Sequence, residues 1–158
     1  MPFPPKSALI IGYGSGVTVG AATTFTELDE IDCIEIEAAV VGAAPHFAGV
    51  NRKSYEHPKV NIIYDDARSY MNVTRKQYDL IVSEPSNPWI AGVASLFTAE
   101  FYDRAAEVLK PDGIFAQWLQ AYAMAPADFR MIVASVQKVF SEVVLWQTLS
   151  GDTLIVAS

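Results

Sequence analysis

Short, uninterrupted apolar runs alternate with longer stretches of helical spacing along most of the chain. "SALIIGY" is apolar throughout and closes on glycine, which predicts a buried strand. "GVTVGAATTFTEL" then has helical spacing, weakened by its threonines. "IDCIEIE" is a second predicted strand, and "AAVVGAAPHFAGV" a second helix with Pro45 as a kink or early stop. "KVNIIYDD" follows as a third strand, then a short helix around "ARSYMNV", then "YDLIVSE" as a fourth strand. "SLFTAEFYDRAAEVLK" has the clearest helical spacing and is expected to end at "PDG". "GIFAQWLQ" predicts a fifth strand and "APADFRMIVASVQKVF" a helix opened by Ala-Pro. "EVVLWQT" and "DTLIVAS" predict two closing strands joined by the turn signal "SGD".

Strands that are apolar on both faces and separated by helices predict a parallel sheet covered on both sides. The last two strands are joined by a tight turn, so they must be antiparallel neighbours. The expected fold is α/β: a Rossmann-like, mostly parallel seven-stranded sheet with an antiparallel C-terminal hairpin and helices on both faces. This is the layout of the SAM-dependent methyltransferase fold. Ligands of such sheets sit at the carboxyl ends of the strands, so the strand-end motifs are where chemistry is to be sought.

Composition narrows the picture. With 158 residues, half of them hydrophobic, residues 1–158 are expected to form a single domain with a sizeable core. The formal charge of -7 argues against nucleic acid or an anionic membrane as partner. A single cysteine, Cys33, rules out an internal disulfide framework and suggests a reducing, cytoplasmic setting. No apolar run reaches the roughly 18 residues of a membrane span, and "MPFPPKS" lacks the apolar core of a signal peptide. His46 and His57 stand apart, with no cysteine or acid cluster nearby, so no metal site is expected.

The first predicted strand ends in "IGYGSGV". Gly12, Gly14 and Gly16 let the backbone turn sharply and approach a ligand. The dinucleotide fingerprint would want another glycine at Val17; the spacing here is the one typical of SAM-type binders, though a purely structural strand-to-helix turn would also use it. Glu35, at the end of the second strand, can accept both ribose hydroxyls of a nucleoside, or it is a solvated strand-end acid. Glu37 lies beyond the strand as an exposed or helix-start acid. At the end of the third strand, Asp66 is placed to meet the exocyclic amine of an adenine and Asp65 to cap the following helix, and the sequence leaves open which acid does which. In "SEPSNPW", Glu84 is a lone acid on a turn stiffened by Pro85 and Pro88. Asn87 in that stretch is also a common turn former. Gln117, Trp118 and Tyr122 around the fifth strand either line a substrate pocket or pack in the core; Trp89 either closes over a ligand or packs.

Taken in order, "LIIGYGSG", "IEIE", "YDDAR", "YDLIVSEPSNPW", "SLFTAEFY" and "LKPDGIF" resemble the spermidine and spermine synthase family, the polyamine aminopropyltransferases. The resemblance covers nearly the whole chain. "SEPSNPW" with "AQWLQAY" is most similar to a bacterial branch often fused to membrane segments. The resemblance implies aminopropyl transfer from decarboxylated SAM to an amine or polyamine, with methylthioadenosine as product, in a homo-oligomer such as a dimer. It implies Glu84 as the catalytic base, Glu35 at the ribose and Asp66 at the adenine, Ser15 at the amine end of decarboxylated SAM, Ala67 and Ser83 among the other cofactor contacts, and Asn87 toward the amine, with Gln117 and Tyr122 as further substrate candidates. Three departures stand out. Asn87 and Ser15 replace acids, "AQWLQAY" lacks a further acid, and the family's N-terminal β-rich domain is absent from this chain. Two other functions stay open: a methyltransferase using intact SAM, whose carboxylate Ser15 would tolerate, and a non-catalytic nucleoside-binding or oligomerisation module.

Overall fold

The computed structural model describes residues 4–149 and 151–158. Ser150, in the predicted "SGD" turn, and the first residues of "MPFPPKS" lie outside the described residues. The strands are β1 (Ser7–Ile11), β2 (Glu30–Glu35), β3 (Val60–Tyr64), β4 (Tyr78–Ser83), β5 (Leu109–Gln120), β6 (Val143–Leu149) and β7 (Asp152–Ala157). The helices are α1 (Val17–Ala22), α2 (Ala38–Gly42), α3 (Ala67–Val73), α4 (Ala99–Val108) and α5 (Pro126–Gln137). The strands form one sheet in the order β3-β2-β1-β4-β5-β7-β6. Neighbours from β3 to β5 pair in parallel, and β7 runs antiparallel to both β5 and β6. The Rossmann-like methyltransferase layout expected from the apolar pattern is the observed one.

Strand alternation divides the core in two. Ala8, Ile10, Ile31 and Cys33 pack with Val19 of α1 and Val41 of α2. Leu9, Ile11, Ile34 and Phe115 face the other way, against α3, α4 and α5 through Met71, Phe101, Tyr102 and Val136. Phe115 stacks on Phe140 with ring centres 5.5 Å apart, and Phe101 and Tyr102 meet it edge-on. Among the described residues no helix is long and apolar enough to cross a membrane.

Several element ends differ from the sequence expectation, each for a local reason. Helix α1 stops at Ala22 because the hydroxyls of Thr23 and Thr24 donate back to the carbonyls of Gly20 and Ala21, at 2.7 Å each. The segment around Pro45 is a 3₁₀ turn, Ala44–Phe47, separate from α2. Helix α4 starts at Ala99, not Ser95: Thr98 is extended and its Oγ1 accepts from the Phe101 amide at 3.3 Å, while "VASLF" before it is 3₁₀. "PDG" does not lie outside the sheet. It is an irregularity within β5, where pairing with β4 jumps from Tyr78↔Leu109 to Leu80↔Ile114 and Asp112 takes a positive φ of 64°.

The chain leaves β1 for β2 and β3 on one side, then returns to β4 on the other. The loops that follow β1 and β4 therefore diverge and open a crevice at their carboxyl ends. Register sets the level of that crevice. Ile11 pairs with both Ile34 and Ser83, so Gly12, Glu35 and Glu84 all follow the same row of the sheet.

Candidate active site

The glycine loop after β1 is held by its neighbours on every side. Gly12 has φ +92°, and a Cβ there would come within 3.4 Å of the Glu84 carbonyl, so the loop and the β4 turn touch backbone to backbone. Gly16, the N-cap of α1, has φ +80°; a Cβ there would strike the Tyr13 hydroxyl at 2.5 Å and its ring at 2.6 Å. That ring is buried, and its hydroxyl pairs with Ser54 Oγ at 2.9 Å, which in turn donates to the Gly16 carbonyl at 3.2 Å. Burial raises the Tyr13 phenol above its ordinary range, against the smaller opposing effect of Ser54. Asn51 is fully buried and its amide nitrogen donates to the carbonyls of Ser15 and Ala44, at 3.1 and 2.9 Å. Ser15 is thus held through its backbone.

Glu35 is 8% exposed, yet it is well partnered. One carboxylate oxygen accepts from the Tyr13 amide and the other from the Glu37 amide, each at 2.9 Å. It ties the glycine loop to the turn after β2, and each oxygen has a lone pair left for another donor. Glu37 is the helix-start acid, accepting from the Ala39 amide at the N-cap of α2. At the end of β3 the capping acid is Asp66, not Asp65. Asp66 Oδ1 accepts from the Ser69 amide at 2.9 Å, while Asp65 accepts from the Asp66 amide at 2.8 Å. Cap geometry decides this, because only the residue just before the first helical turn reaches its amides. Ala67, the first residue of α3, is buried.

Glu84 is exposed at the crevice. Its amide donates to the Ile11 carbonyl at 3.1 Å, and its Oε2 accepts from Thr18 Oγ1 at 2.7 Å. Asn87 Oδ1 accepts from the Tyr122 hydroxyl at 3.4 Å, and the Tyr122 ring meets Trp89 edge-on at 6.3 Å. Asn87, Trp89 and Tyr122, from two separate loops, thus form one polar and aromatic rim. Two expected ligand contacts are placed differently. Ser83 and Gln117 are fully buried: the Gln117 amide nitrogen donates to Leu96 O at 2.9 Å and lies 3.3 Å from Ser83 Oγ, and its oxygen accepts from Tyr102. Inward-facing strand positions carry them into the core, where they brace the Glu84 turn from below. Trp118 is half-buried in the β5–β7 ladder opposite Leu154. Cys33 is buried, and that burial, with the nearby charges of Glu35 and Glu84, pushes its thiol up to about 12. Among the described residues, no group of three or more His, Cys, Asp or Glu side chains is placed to hold a metal.

Asn51, Ser54 and Thr18 have no counterpart in the sequence reading. Thr18 had a faint signal, a hydroxyl two positions past the last loop glycine. Asn51 and Ser54, in the polar stretch "NRKSYEHPK", had none.

A sheet of this order, with a glycine loop after β1, an acid at the end of β2 and a second acid after β3, has the α/β layout of the methyltransferase type. Residues 3–150 match the model of the spermine/spermidine synthase domain, and the chain belongs to that family. It is 35% identical over 109 residues to a polyamine aminopropyltransferase of Alkaliphilus oremlandii, covering 69% of this chain and 38% of that protein. Over 139 residues it is 28% identical to one from a Thermoanaerobacter species, covering 88% of this chain and 48% of that protein. The chain therefore spans less than half the length of these relatives. Among solved structures, a spermidine synthase in complex with the transition-state analogue AdoDATO superposes with a TM-score of 0.88 at 24% identity, covering 98% of this chain and 55% of the other. Human methyltransferase-like protein 13 in complex with SAH has a TM-score of 0.80 at 17% identity, over 98% of this chain and 72% of that one. Both likenesses concern the fold.

Proposed function

We propose that residues 1–158 act as a single catalytic unit for aminopropyl transfer from decarboxylated SAM to an amine or polyamine. The observation that carries the reading is the common row of Gly12, Glu35 and Glu84, which sets a carboxylate beside a nucleoside-type loop. Glu35, already oriented by two amides, accepts the ribose hydroxyls. Asp66 and the Ala67 backbone meet the adenine edge, and Ser15 lies near the amine end of the donor. Asn87 and Tyr122 sit on the acceptor side, with Trp89 beside them.

An alkylammonium titrates at about 10, near the lysine reference, so the acceptor arrives protonated at neutral pH. Glu84 accepts a proton from it and frees the nitrogen lone pair. That pair forms the C–N bond to the propyl carbon next to the sulfonium. The C–S pair returns to sulfur, and methylthioadenosine leaves as a neutral thioether. The positive charge passes from sulfur to the new ammonium, beside the Glu84 carboxylate. No metal is required by this chemistry.

Incubation with decarboxylated SAM and a panel of amines tests the reading through methylthioadenosine release, with Glu84→Gln expected to cost on the order of a hundredfold or more. Release of S-adenosylhomocysteine from intact SAM would replace it with methyl transfer. Turnover of Glu84→Gln at the unsubstituted rate would remove Glu84 as the base.

A further inference from the structure

Thr18 occupies the second position of α1 and is half-buried. Its hydroxyl donates to Glu84 Oε2 at 2.7 Å across the point where the β1 and β4 loops diverge. Among the described residues, Oε2 takes this bond and Oε1 takes none. Both partners are anchored through the backbone. Glu84 is tied by its amide to Ile11, and Pro85 after it is buried. Helix α1 is pinned by the Tyr13 ring beneath Gly16 and by the Asn51 backbone against Gly20, where a Cβ would come within 2.3 Å of the Asn51 carbonyl oxygen. A side chain at Gly20 would push the helix that carries Thr18 off the Asn51 backbone, and one at Gly16 would displace the Tyr13 ring.

A glutamate arm has several rotatable bonds, and an exposed one sweeps a wide arc. Ordering it during the reaction would cost side-chain entropy. An anchored hydroxyl removes that freedom in advance and selects which oxygen faces the reacting nitrogen. We infer that Thr18 is a positioning residue for Glu84: it holds Oε2, so that Oε1 is the oxygen presented to the acceptor amine. The inference rests on Glu84 being the base.

The test is a set of variants read by steady-state kinetics and by methylthioadenosine titration. Thr18→Val removes the donor and keeps the shape, and is expected to lower kcat about tenfold through misplacement of the base. KM for the amine and Kd for methylthioadenosine should stay within about twofold, since neither ligand loses a contact. Thr18→Ser keeps the donor and should restore kcat to within about threefold. In a Glu84→Gln background, Thr18→Val should cost nothing further. Unsubstituted kcat for Thr18→Val, no rescue by serine, or fully multiplicative losses in the double variant would each overturn the positioning role. The parent reading fails differently, through absent methylthioadenosine release by the unsubstituted chain or full activity of Glu84→Gln. Full activity of Glu84→Gln takes the positioning role down with it. If release is absent, crystal structures of the unsubstituted and Thr18→Val proteins decide the contact by itself: a displaced Glu84 carboxylate supports it, and an unmoved one overturns it.

Discussion

Asn51 illustrates how much of the site is held by a residue that never meets the crevice. Its side-chain amide donates to two carbonyls, its oxygen accepts from the Lys53 amide, and none of it is exposed. Asn51→Ala would strand the buried carbonyl of Ala44, at a cost of about 1–3 kcal/mol in the unrelaxed limit, and the part-buried carbonyl of Ser15, at a smaller cost. The expected outcome is a loss of roughly 2–4 kcal/mol in urea unfolding, with weaker methylthioadenosine binding by calorimetry. Retained affinity in the folded variant would mean that the Ser15 turn does not depend on this amide. The residue scale is also where the sequence misleads most. Gln117 has the chemistry of an amine ligand, but strand parity sends it inward to Tyr102, Ser83 and Leu96. Glu35 and Glu84 were legible as strand-end acids because the apolar runs before them are unmistakable. Their partners were not, since nothing in a linear spacing brings Thr18 to Glu84.

At the scale of elements, caps and cross-strand ties decide where each piece begins. Thr98 is the N-cap of α4, with its side chain on the Phe101 amide. Thr98→Ala should lower stability by about 1 kcal/mol, measured as a shift in the denaturation midpoint at unchanged slope. A second tie lies at the amino edge of the sheet. Asp79 of β4 accepts from the Lys6 and Ser7 amides, the Ser7 hydroxyl and the Lys110 ammonium, each at 2.9 Å, linking β1, β4 and β5. Partial burial opposes its ionisation, but Lys110 and the three other donors outweigh it and bring the carboxyl from 3.8 down to about 2. As pH falls through that interval, the unfolded chain takes up a proton that the folded one refuses. The stability contributed by Asp79 is therefore complete above the ordinary carboxylate range and is lost as pH falls through about 2. Buried Asp32 adds to the same acid dependence: burial opposes its ionisation, and Lys76, Tyr78 and Asn61 outweigh that and lower its value. Asp79→Asn should flatten the acid limb of stability measured between neutral pH and pH near 2; an unchanged limb would assign acid sensitivity elsewhere.

On the scale of the whole molecule, all seven strands belong to one sheet, and Cys33 lies in β2, beside the edge strand β3. The thiol is buried in β2 between Ile31 and Glu35, and its ionisation is pushed up to about 12. A disulfide reagent should therefore modify the folded protein only as fast as it opens globally, with modification tracking unfolding across denaturant. Rapid labelling at neutral pH in the absence of denaturant would show that the β2 region opens independently. Sequence by itself determined the alternation of strands and helices, the parallel sheet with its antiparallel end, and the glycine and acid stations at strand ends. Those follow from side-chain periodicity and from backbone torsions, which are properties of neighbouring residues. Only the tertiary structure decided that β4 lies beside β1, that Glu84 meets Thr18 and Glu35 meets Tyr13, and that Ser83 and Gln117 point into the core. These depend on strand order and register, where a contact between residues far apart in the chain is set by the packing of the whole sheet.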